Sequence, residues 1–244
     1  MALSISQTRA LEKELKPGMR VASFGYPDLI APVEAFEKML GVEAPNLKYR
    51  EDSDAICKRH GLEKRLIPDA ESFFRLMGAK LDVYDIVAER GCEIICDLNQ
   101  PMKARMSHDI VLDVGTVEHC FNIAQAMMNM SMMVRLGGVI IHENPFNWGN
   151  HGFYNLNPTW YHDFYKANGF ELMALHLVAR DGSVGLPHPT KRFRYQGGEC
   201  NIFAVAKRVE VGNMVYPVQS KYAKLIPAAS DSGERAADAR AIGA

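Results

Sequence analysis

The hydrophobic positions of the chain alternate between short continuous runs and longer stretches in which they recur every three or four residues. Continuous runs are typical of strands buried on both faces, and the wider spacing is typical of amphipathic helices. The clearest run, residues 110–112, ends in the polar turn 113–115. A helical pattern over residues 121–134 follows, closes at a Gly-Gly pair, and leads into a new run at residues 139–142. This order predicts a parallel βαβ unit.

The same alternation extends along most of the chain and predicts an α/β fold with a doubly wound, mostly parallel, seven-stranded sheet. Residues 41–80 form a connection far longer than usual, and we expect them and residues 1–18 to make a helical cap. The prediction is therefore one domain over residues 1–227 and a disordered tail over the small, polar residues 228–244. The other predicted strands are residues 19–24, 81–87, 92–99, 170–178 and 201–206, and the other predicted helices are residues 6–15, 32–40, 52–60, 68–77 and 158–169.

The composition is that of an ordinary globular protein: 244 residues, 48% hydrophobic and 23% charged, with a formal net charge of −1. One short basic run, residues 191–194, does not indicate a nucleic-acid partner. No apolar run approaches the ~20 residues that span a bilayer, so we expect no membrane partner and a cytoplasmic location. Five cysteines without a CxxC pair indicate reduced thiols.

Acidic residues follow three of the predicted strands. In open α/β sheets the ligand crevice lies at the carboxyl ends of the strands, so Asp85, Asp97 and Asp113 are candidates for binding. Asp82, on the opposite face of the same strand, is a rival to Asp85. Asp97 has a second interpretation, an Asx-type turn ahead of Pro101.

Three sequence motifs resemble the class I S-adenosylmethionine-dependent methyltransferases. They are Asp-Leu-Asn after the third strand, Asp-x-Gly-x-x-Glu-His after the fourth, and Leu-Gly-Gly-Val-Ile-Ile before the fifth, and the resemblance covers about residues 19–207. It implies a Rossmann-like methyltransferase fold and S-adenosylmethionine as cofactor. The cofactor-binding residues that it implies are Phe24, Gly25 and Tyr26 in the first loop, Asp85 for the ribose hydroxyls, Asp97 and Leu98 for the adenine, and Asp113, Val114 and Gly115 for the methionine moiety.

The first loop departs from the pattern of that family. A Gly-x-Gly turn is expected there, whereas this chain has Ser-Phe-Gly-Tyr-Pro-Asp at residues 23–28. A single glycine permits one close approach of the backbone, and Tyr26 and Pro27 make the loop bulkier and stiffer.

The loop after the fifth strand, residues 142–157, is dense in imidazole, amide and aromatic side chains. Such a loop above the strand ends indicates acceptor recognition, although His142 and Asn144 could instead only tie down the turn around Pro145. No metal is predicted, because the spacing of His142, Glu143 and His151 fits no zinc pattern. The predicted substrate-binding residues are Asn144, Asn147, His151 and Tyr154, and the predicted catalytic bases are His119 and His142.

These features together predict a methyltransferase that acts on a small polar metabolite. One alternative keeps S-adenosylmethionine and the fold but cyclises, eliminates or transfers another group. A second alternative is a catalytically silent binding or partner subunit. A homodimer is left open.

Overall fold

An eight-stranded sheet forms the centre of the molecule, with strand order β5-β4-β2-β6-β7-β10-β8-β9. The computed structural model describes residues 2–103, 106–179, 182–185, 189–223 and 225. Strands β5, β4, β2, β6 and β7 are mutually parallel, whereas β10 runs antiparallel to β7 and to β8. The strands are β1 (Ala2–Leu3), β2 (Arg20–Phe24), β3 (Asp28–Leu29), β4 (Lys80–Asp85), β5 (Ile94–Ile95), β6 (His108–Asp113), β7 (Val134–Pro145), β8 (Phe170–Ala179), β9 (Gly182–Gly185) and β10 (Cys200–Arg208).

Helices cover both faces of this sheet. On one face Val111, Ile140 and Ile202 pack with the methionine-rich helix α5 and with α6. On the other face Ile110 and Ile141 pack with α1, α2 and α4. Successive residues of the central strands therefore point to opposite cores, which confirms the predicted doubly wound α/β fold. The helices are α1 (Ile5–Glu14), α2 (Val33–Leu40), α3 (Ser53–His60), α4 (Ala70–Leu76), α5 (Ile123–Met133), α6 (Pro158–Ala167) and α7 (Ser220–Ala223), with 3₁₀ turns at Gly41–Asn46 and Val117–His119.

All seven predicted strands are present, but two differ markedly in length and three strands are added: β9 in the large sheet, and the two-residue strands β1 and β3, which pair with each other. The predicted third strand, residues 92–99, shortens to Ile94–Ile95. The fifth begins at Val134 rather than at residue 139, because the backbone after α5 is already extended. Residues 135–138, predicted to close the helix, form an irregular stretch of β7 opposite Asp109. Strand β9 pairs antiparallel with β8 and lies between the two predicted strands 170–178 and 201–206.

The predicted helical cap divides between two environments. Helix α4 packs on the sheet through Phe73 and Phe74, and α1 packs on the same face through Leu11. Helix α3 instead contributes Ile56 and Cys57 to a small separate cluster with Ile67, packed by Ile30 and Leu62. Within the predicted cap, α3 is thus the helix that stands apart from the main core.

No helix in the described part of the chain is long and apolar enough to cross a bilayer. The predicted disordered tail, residues 228–244, lies outside the described residues. All five cysteines are free thiols, as predicted.

Candidate functional site

Two cavities lie at the carboxyl ends of the parallel strands. The smaller has a volume of about 170 Å³ and the larger about 740 Å³, and both are lined by His119. A third cavity, of about 810 Å³, lies at the opposite, amino ends of β2 and β4 around Met19 and Lys80. The polar residues that follow the strands make the first two the candidate site.

The smaller cavity contains the predicted residues Asp85, Asp97 and Leu98. It lies where β4 and β5 end and where the loop after β6 passes over them. Apolar and acidic groups both face it, which suits a ligand with a flat ring and hydroxyl groups. Its lining residues are Tyr84, Asp85, Ile86, Cys96, Asp97, Leu98, Asn99, Thr116, His119 and Cys120.

Two carboxylates at this cavity also shape the turns that carry them. Asp85 Oδ1 accepts hydrogen bonds from the backbone N–H groups of Ile86 and Val87, at 2.7 and 3.3 Å. Asp97 Oδ1 accepts from the backbone and side-chain nitrogens of Asn99, at 2.9 and 2.8 Å. The Asx-type turn considered for Asp97 is therefore present, and it coexists with a place in the cavity wall.

The rival residue Asp82 has a structural role. It is buried, forms ion pairs with Arg20 at 2.6 Å and with Lys80 at 3.1 Å, and lies 3.1 Å from the imidazole Nε2 of His108. These contacts hold the pKa of the Asp82 carboxyl below its usual range against the effect of burial. Asp85, rather than Asp82, is the acid of β4 that faces the cavity.

Two thiols in the smaller cavity stay protonated at neutral pH. Burial, reinforced by the charges of Asp85 and Asp97, raises the pKa of Cys96 to about 11. Burial and the charges of Asp113 and Glu118 raise the pKa of Cys120 to about 12. Neither thiol is therefore suited to nucleophilic catalysis at neutral pH.

The first loop, residues 23–28, lines neither of these two cavities, because its residues pack against other parts of the chain. Phe24 is fully buried and stacks on Tyr84, with ring centroids 5.4 Å apart. Gly25, at φ +85°, donates its N–H to the Tyr84 carbonyl at 2.7 Å. The Tyr26 hydroxyl lies 2.7 Å from Asp69, and the guanidinium of Arg90 covers its ring. The side chains of Phe24 and Tyr26 are used for packing, and the approach of this loop to a cofactor stays a prediction.

The larger cavity is bounded by the chain start, by α3 and by the loop after β7. Ser4 donates its hydroxyl hydrogen bond to Glu143, whose other oxygen accepts from Asn201 at 3.1 Å. Burial raises the pKa of the Glu143 carboxyl. This wall offers hydroxyl, amide and carboxyl groups to a polar ligand. The lining residues are Ala2, Ser4, Ile30, His60, Gly61, Leu62, Val114, Gly115, Glu118, His119, Glu143, Asn144, Pro145, Trp148, His151 and Asn201.

Asp113 lies behind this wall at the centre of a buried hydrogen-bond network. Its side chain is 0% exposed, and Oδ1 accepts from the backbone N–H groups of Thr116 and Val117 at 2.9 and 3.3 Å. Oδ2 lies 2.7 Å from His142 Nδ1 and 2.9 Å from Asn144 Nδ2. Both oxygens of the Asp113 carboxylate have partners inside the protein, and its contact with the ammonium group of a methionine moiety stays a prediction.

His142 is the second predicted site residue that lies inside this buried network. It is 0% exposed and lies between Asp113 and the hydroxyl of Tyr165 on α6. Burial raises the pKa of the Tyr165 hydroxyl well above its ordinary value, so it stays protonated. His142 lines neither cavity, and its predicted role as a base that meets the acceptor is not supported. The structural interpretation, in which His142 ties down the strand end, describes its contacts.

Asn144 connects Asp113 to a second buried carboxylate, that of Glu118. Its amide donates to Asp113 at 2.9 Å and to Glu118 Oε2 at 3.0 Å, and its oxygen accepts from the Tyr161 hydroxyl at 2.5 Å. Glu118 is 1% exposed. Burial first, and then repulsion from Asp113, raises the pKa of the Glu118 carboxyl to about 8.

Two imidazoles face the other oxygen of Glu118. His119 Nε2 lies 3.9 Å from Glu118 Oε1, and His151 Nε2 lies 3.7 Å from it. Their side chains are 49% and 42% exposed. The ring centroids of the two histidines are 5.2 Å apart, and burial together with His151 lowers the pKa of His119. The structure thus brings together Glu118, His119 and His151, which are distant from one another by up to 33 positions in sequence.

The predicted substrate-binding residues separate into two pairs. Asn144 and His151 line the larger cavity. Asn147 instead donates to the Gly198 carbonyl at 3.0 Å and accepts from the Cys200 N–H at 2.8 Å. Tyr154 donates to the Phe121 carbonyl at 2.8 Å and lines a different cavity beside α6. Asn147 and Tyr154 therefore hold the loop in place, and their predicted contact with the acceptor is not supported.

Several residues of the site escaped the sequence-based prediction. Ser4, the N-cap of α1, and Asn201, on β10, lie far apart in sequence and carry no local signal. Tyr161 and Tyr165 lie four residues apart on α6, so their common face was readable, but a tyrosine pair on a helix ordinarily indicates core packing.

Comparisons with known proteins give likenesses of structure at low sequence identity. No family model matches the chain, and no curated protein matches it. One similar structure is the 1,6-didemethyltoxoflavin-N1-methyltransferase of Burkholderia thailandensis with bound S-adenosylhomocysteine, at 14% identity and a TM-score of 0.43, over 83% of this chain and 78% of that chain. A second is an S-adenosylmethionine-dependent methyltransferase from Aquifex aeolicus, at 9% identity and a TM-score of 0.40, over 81% and 88%. A third is the [4+2]-cyclase SpnF, at 11% identity and a TM-score of 0.40, over 85% and 81%.

Likenesses at such low sequence identity and TM-score say nothing about the activity of this chain. The fold itself, a mostly parallel doubly wound sheet with its polar residues at the carboxyl ends of the strands, is the one that the sequence resemblance implied.

Proposed function

We propose that this protein is an S-adenosylmethionine-dependent methyltransferase that acts on a small polar metabolite. The observation that supports the proposal most is a pair of neighbouring cavities that share His119 as a lining residue. One is narrow, with acids and apolar groups at the ends of adjacent strands. The other is wide and polar, and such a pair suits a nucleoside-containing cofactor beside its acceptor.

The residues of the smaller cavity fit the adenosine part of that cofactor. Asp85 presents a carboxylate, which can accept hydrogen bonds from two vicinal ribose hydroxyls. Asp97 offers an acceptor for an exocyclic amino group, and Ile86 and Leu98 provide apolar surface for the ring. The family resemblance implies the same roles for Asp85, Asp97 and Leu98.

The methionine end requires a different arrangement from the usual one. Val114 and Gly115 line the larger cavity, whereas the Asp113 carboxylate lies behind them. The Thr116 hydroxyl donates to the Phe24 carbonyl at 2.6 Å and joins the ends of β2 and β6. We infer that Asp113 acts indirectly, because its bonds to the N–H groups of Thr116 and Val117 hold the loop that carries Val114 and Gly115.

Bound S-adenosylmethionine supplies an electrophilic methyl group on a sulfonium centre. An in-line displacement at such a centre depends mainly on positioning and on exclusion of water. Ser4, Glu143 and Asn201 are placed to hold hydroxyl or amino groups of an acceptor in the wider cavity. Among the predicted bases, His119 is the one that lines both cavities, at the place where acceptor and cofactor would meet.

The test is calorimetry with S-adenosylmethionine followed by product analysis with a panel of small polar metabolites. Saturable binding and formation of S-adenosylhomocysteine are expected. Formation of methylthioadenosine would replace methyl transfer with another use of the cofactor, and binding without any turnover would leave a silent subunit. Absence of saturable binding by the folded protein would contradict the proposal as a whole.

A further inference from the structure

The geometry points to a divalent transition-metal site formed by Glu118, His119 and His151 at the mouth of the larger cavity. Their ligand atoms all lie within 4.8 Å of one another. Two imidazole nitrogens and one carboxylate oxygen are the donor set found in open sites of Zn²⁺ and of non-haem Fe²⁺, in which further coordination positions stay free. This inference does not depend on the proposed cofactor or reaction.

The separations are close to those of a formed site. Zn–N and Zn–O bonds of about 2.0–2.2 Å at tetrahedral angles place neighbouring ligand atoms about 3.4 Å apart. Glu118 Oε1 lies 3.9 Å from His119 Nε2 and 3.7 Å from His151 Nε2. The ligand nitrogens of His119 and His151 lie within 4.8 Å of each other, so rotations of these roughly half-exposed side chains must bring ligand atoms up to about 1.4 Å closer to form the site.

Charge also favours a cation at this position. The carboxylates of Glu118 and Asp113 are both buried and both bound by the amide of Asn144. Asp113 has the imidazole of His142 as a neighbour, whereas Glu118 Oε1 faces the ring nitrogens of His119 and His151. A buried carboxylate is costly without a compensating partner, and a bound cation would supply one.

The surroundings hold the carboxylate ligand in place. Glu118 Oε2 is fixed by Asn144, which is itself fixed by the Tyr161 hydroxyl. Outer contacts of this kind orient ligands in established metal sites. His151 packs against Trp148, with ring centroids 5.4 Å apart.

The backbone brings His151 to Glu118 through a close contact. The Phe153 N–H donates to the Glu118 carbonyl at 2.8 Å. A Cβ atom on Gly152 would lie 2.8 Å from the same carbonyl oxygen, so this position admits no larger residue without a shift. The loop after β7 therefore packs directly on the turn Val117–His119, and this contact brings the third ligand, His151, next to Glu118.

The bound cation would keep coordination positions open toward the cavity. Ser4, Glu143 and Asn201 lie on the cavity wall, so the open positions can take water or an oxygen donor of a ligand. His119 would then be a ligand rather than a free base, since its Nε2 lone pair would be bound to the metal.

The experiment uses the full chain without an affinity tag, treated with a chelator and dialysed. Zn²⁺ alone is titrated by calorimetry, and Co²⁺ is titrated by visible absorption, which reports coordination by imidazole nitrogen. One equivalent of each metal is expected to bind. His119→Ala and His151→Ala are each expected to weaken Zn²⁺ binding by at least about tenfold, the lower limit for loss of even an outer contact of a metal site. Both residues are half exposed, so both variants should fold.

His176→Ala is the matched control, because His176 is an exposed histidine of β8, two strands from β7, and lines neither cavity of the candidate site. It should leave Zn²⁺ affinity unchanged. Failure of the wild-type protein to bind Zn²⁺ or Co²⁺ at a stoichiometry of one would overturn the inference. So would equal affinity in the two alanine variants and the wild type.

Discussion

Removal of the Asp85 side chain should weaken S-adenosylmethionine binding without unfolding the protein. Asp85 is half-buried at the end of β4, and its Oδ1 already accepts from the N–H groups of Ile86 and Val87. The carboxylate therefore keeps limited capacity for the ribose hydroxyls. A hydrogen bond to a charged group contributes about 1.5–3 kcal/mol, and the turn N–H groups freed by truncation can bind water. We expect Asp85→Ala to cost about 1–3 kcal/mol of binding free energy.

This loss corresponds to a dissociation constant roughly 5- to 150-fold higher. Calorimetry of wild type, Asp85→Ala and Asp85→Asn measures it, with circular dichroism to verify folding. Asp85→Asn keeps one acceptor oxygen for the turn and should fall between the other two. Glu12→Ala is the control for charge, because Glu12 is an exposed acid of α1 paired with Lys38. An unchanged dissociation constant in folded Asp85→Ala would refute the assignment of this cavity to the ribose.

Three further predictions concern the cavity, the buried network and α3. The rate at which iodoacetamide alkylates Cys96, followed by peptide mass spectrometry, should rise about tenfold per pH unit from pH 8 to 10, because a pKa of about 11 keeps the thiolate scarce. Bound S-adenosylmethionine should slow this reaction. Tyr165→Phe should lower the free energy of unfolding in urea by about 1–3 kcal/mol, since buried His142 loses a partner, whereas Tyr154→Phe should change it by about 0.5 kcal/mol or less. Amide hydrogen exchange in Ser53–His60 should slow when ligand fills the larger cavity, because the end of α3 lines it. A pH-independent alkylation rate, equal stabilities of the two tyrosine variants, or unchanged exchange in α3 would contradict the respective prediction.

The alternation of buried strands and amphipathic helices could be read from the sequence because it depends on local periodicity. The lengths of β5 and β7 could not, because they depend on pairing with neighbours. Ile94 and Ile95 form a strand where they meet Tyr84 and Asp85 of β4. Residues 135–138 look like a helix end in sequence, yet they belong to β7 because Val134 already pairs with His108.

The sequence could not show which polar residues line a cavity and which are buried in hydrogen bonds behind it. Asp85, Asp97 and Asp113 all follow strands, and in sequence they look equivalent. What separates them is the neighbour that the sheet provides. Strands β6 and β7 are adjacent and parallel, and their register sets Asp113 directly beside His142. Asp85 ends a strand whose outer neighbour, β5, has only two residues, so its side chain keeps access to a cavity.

The buried network also explains how the wall of the larger cavity can be both polar and well ordered. Asn144 binds Asp113, Glu118 and Tyr161 at once, so a shift of any one of these groups breaks a buried hydrogen bond. Glu118 is thereby held by Asn144, which in turn is held by Asp113 and Tyr161 outside the cavity wall, while His119 and His151 remain half exposed beside it. A metal site whose ligand atoms must move closer together needs side chains that can rotate, such as these two histidines, and a rigidly held third ligand. A substitution of Asp113 or Tyr161 should therefore change ligand affinity through the position of Glu118, and not through a lost contact with the ligand.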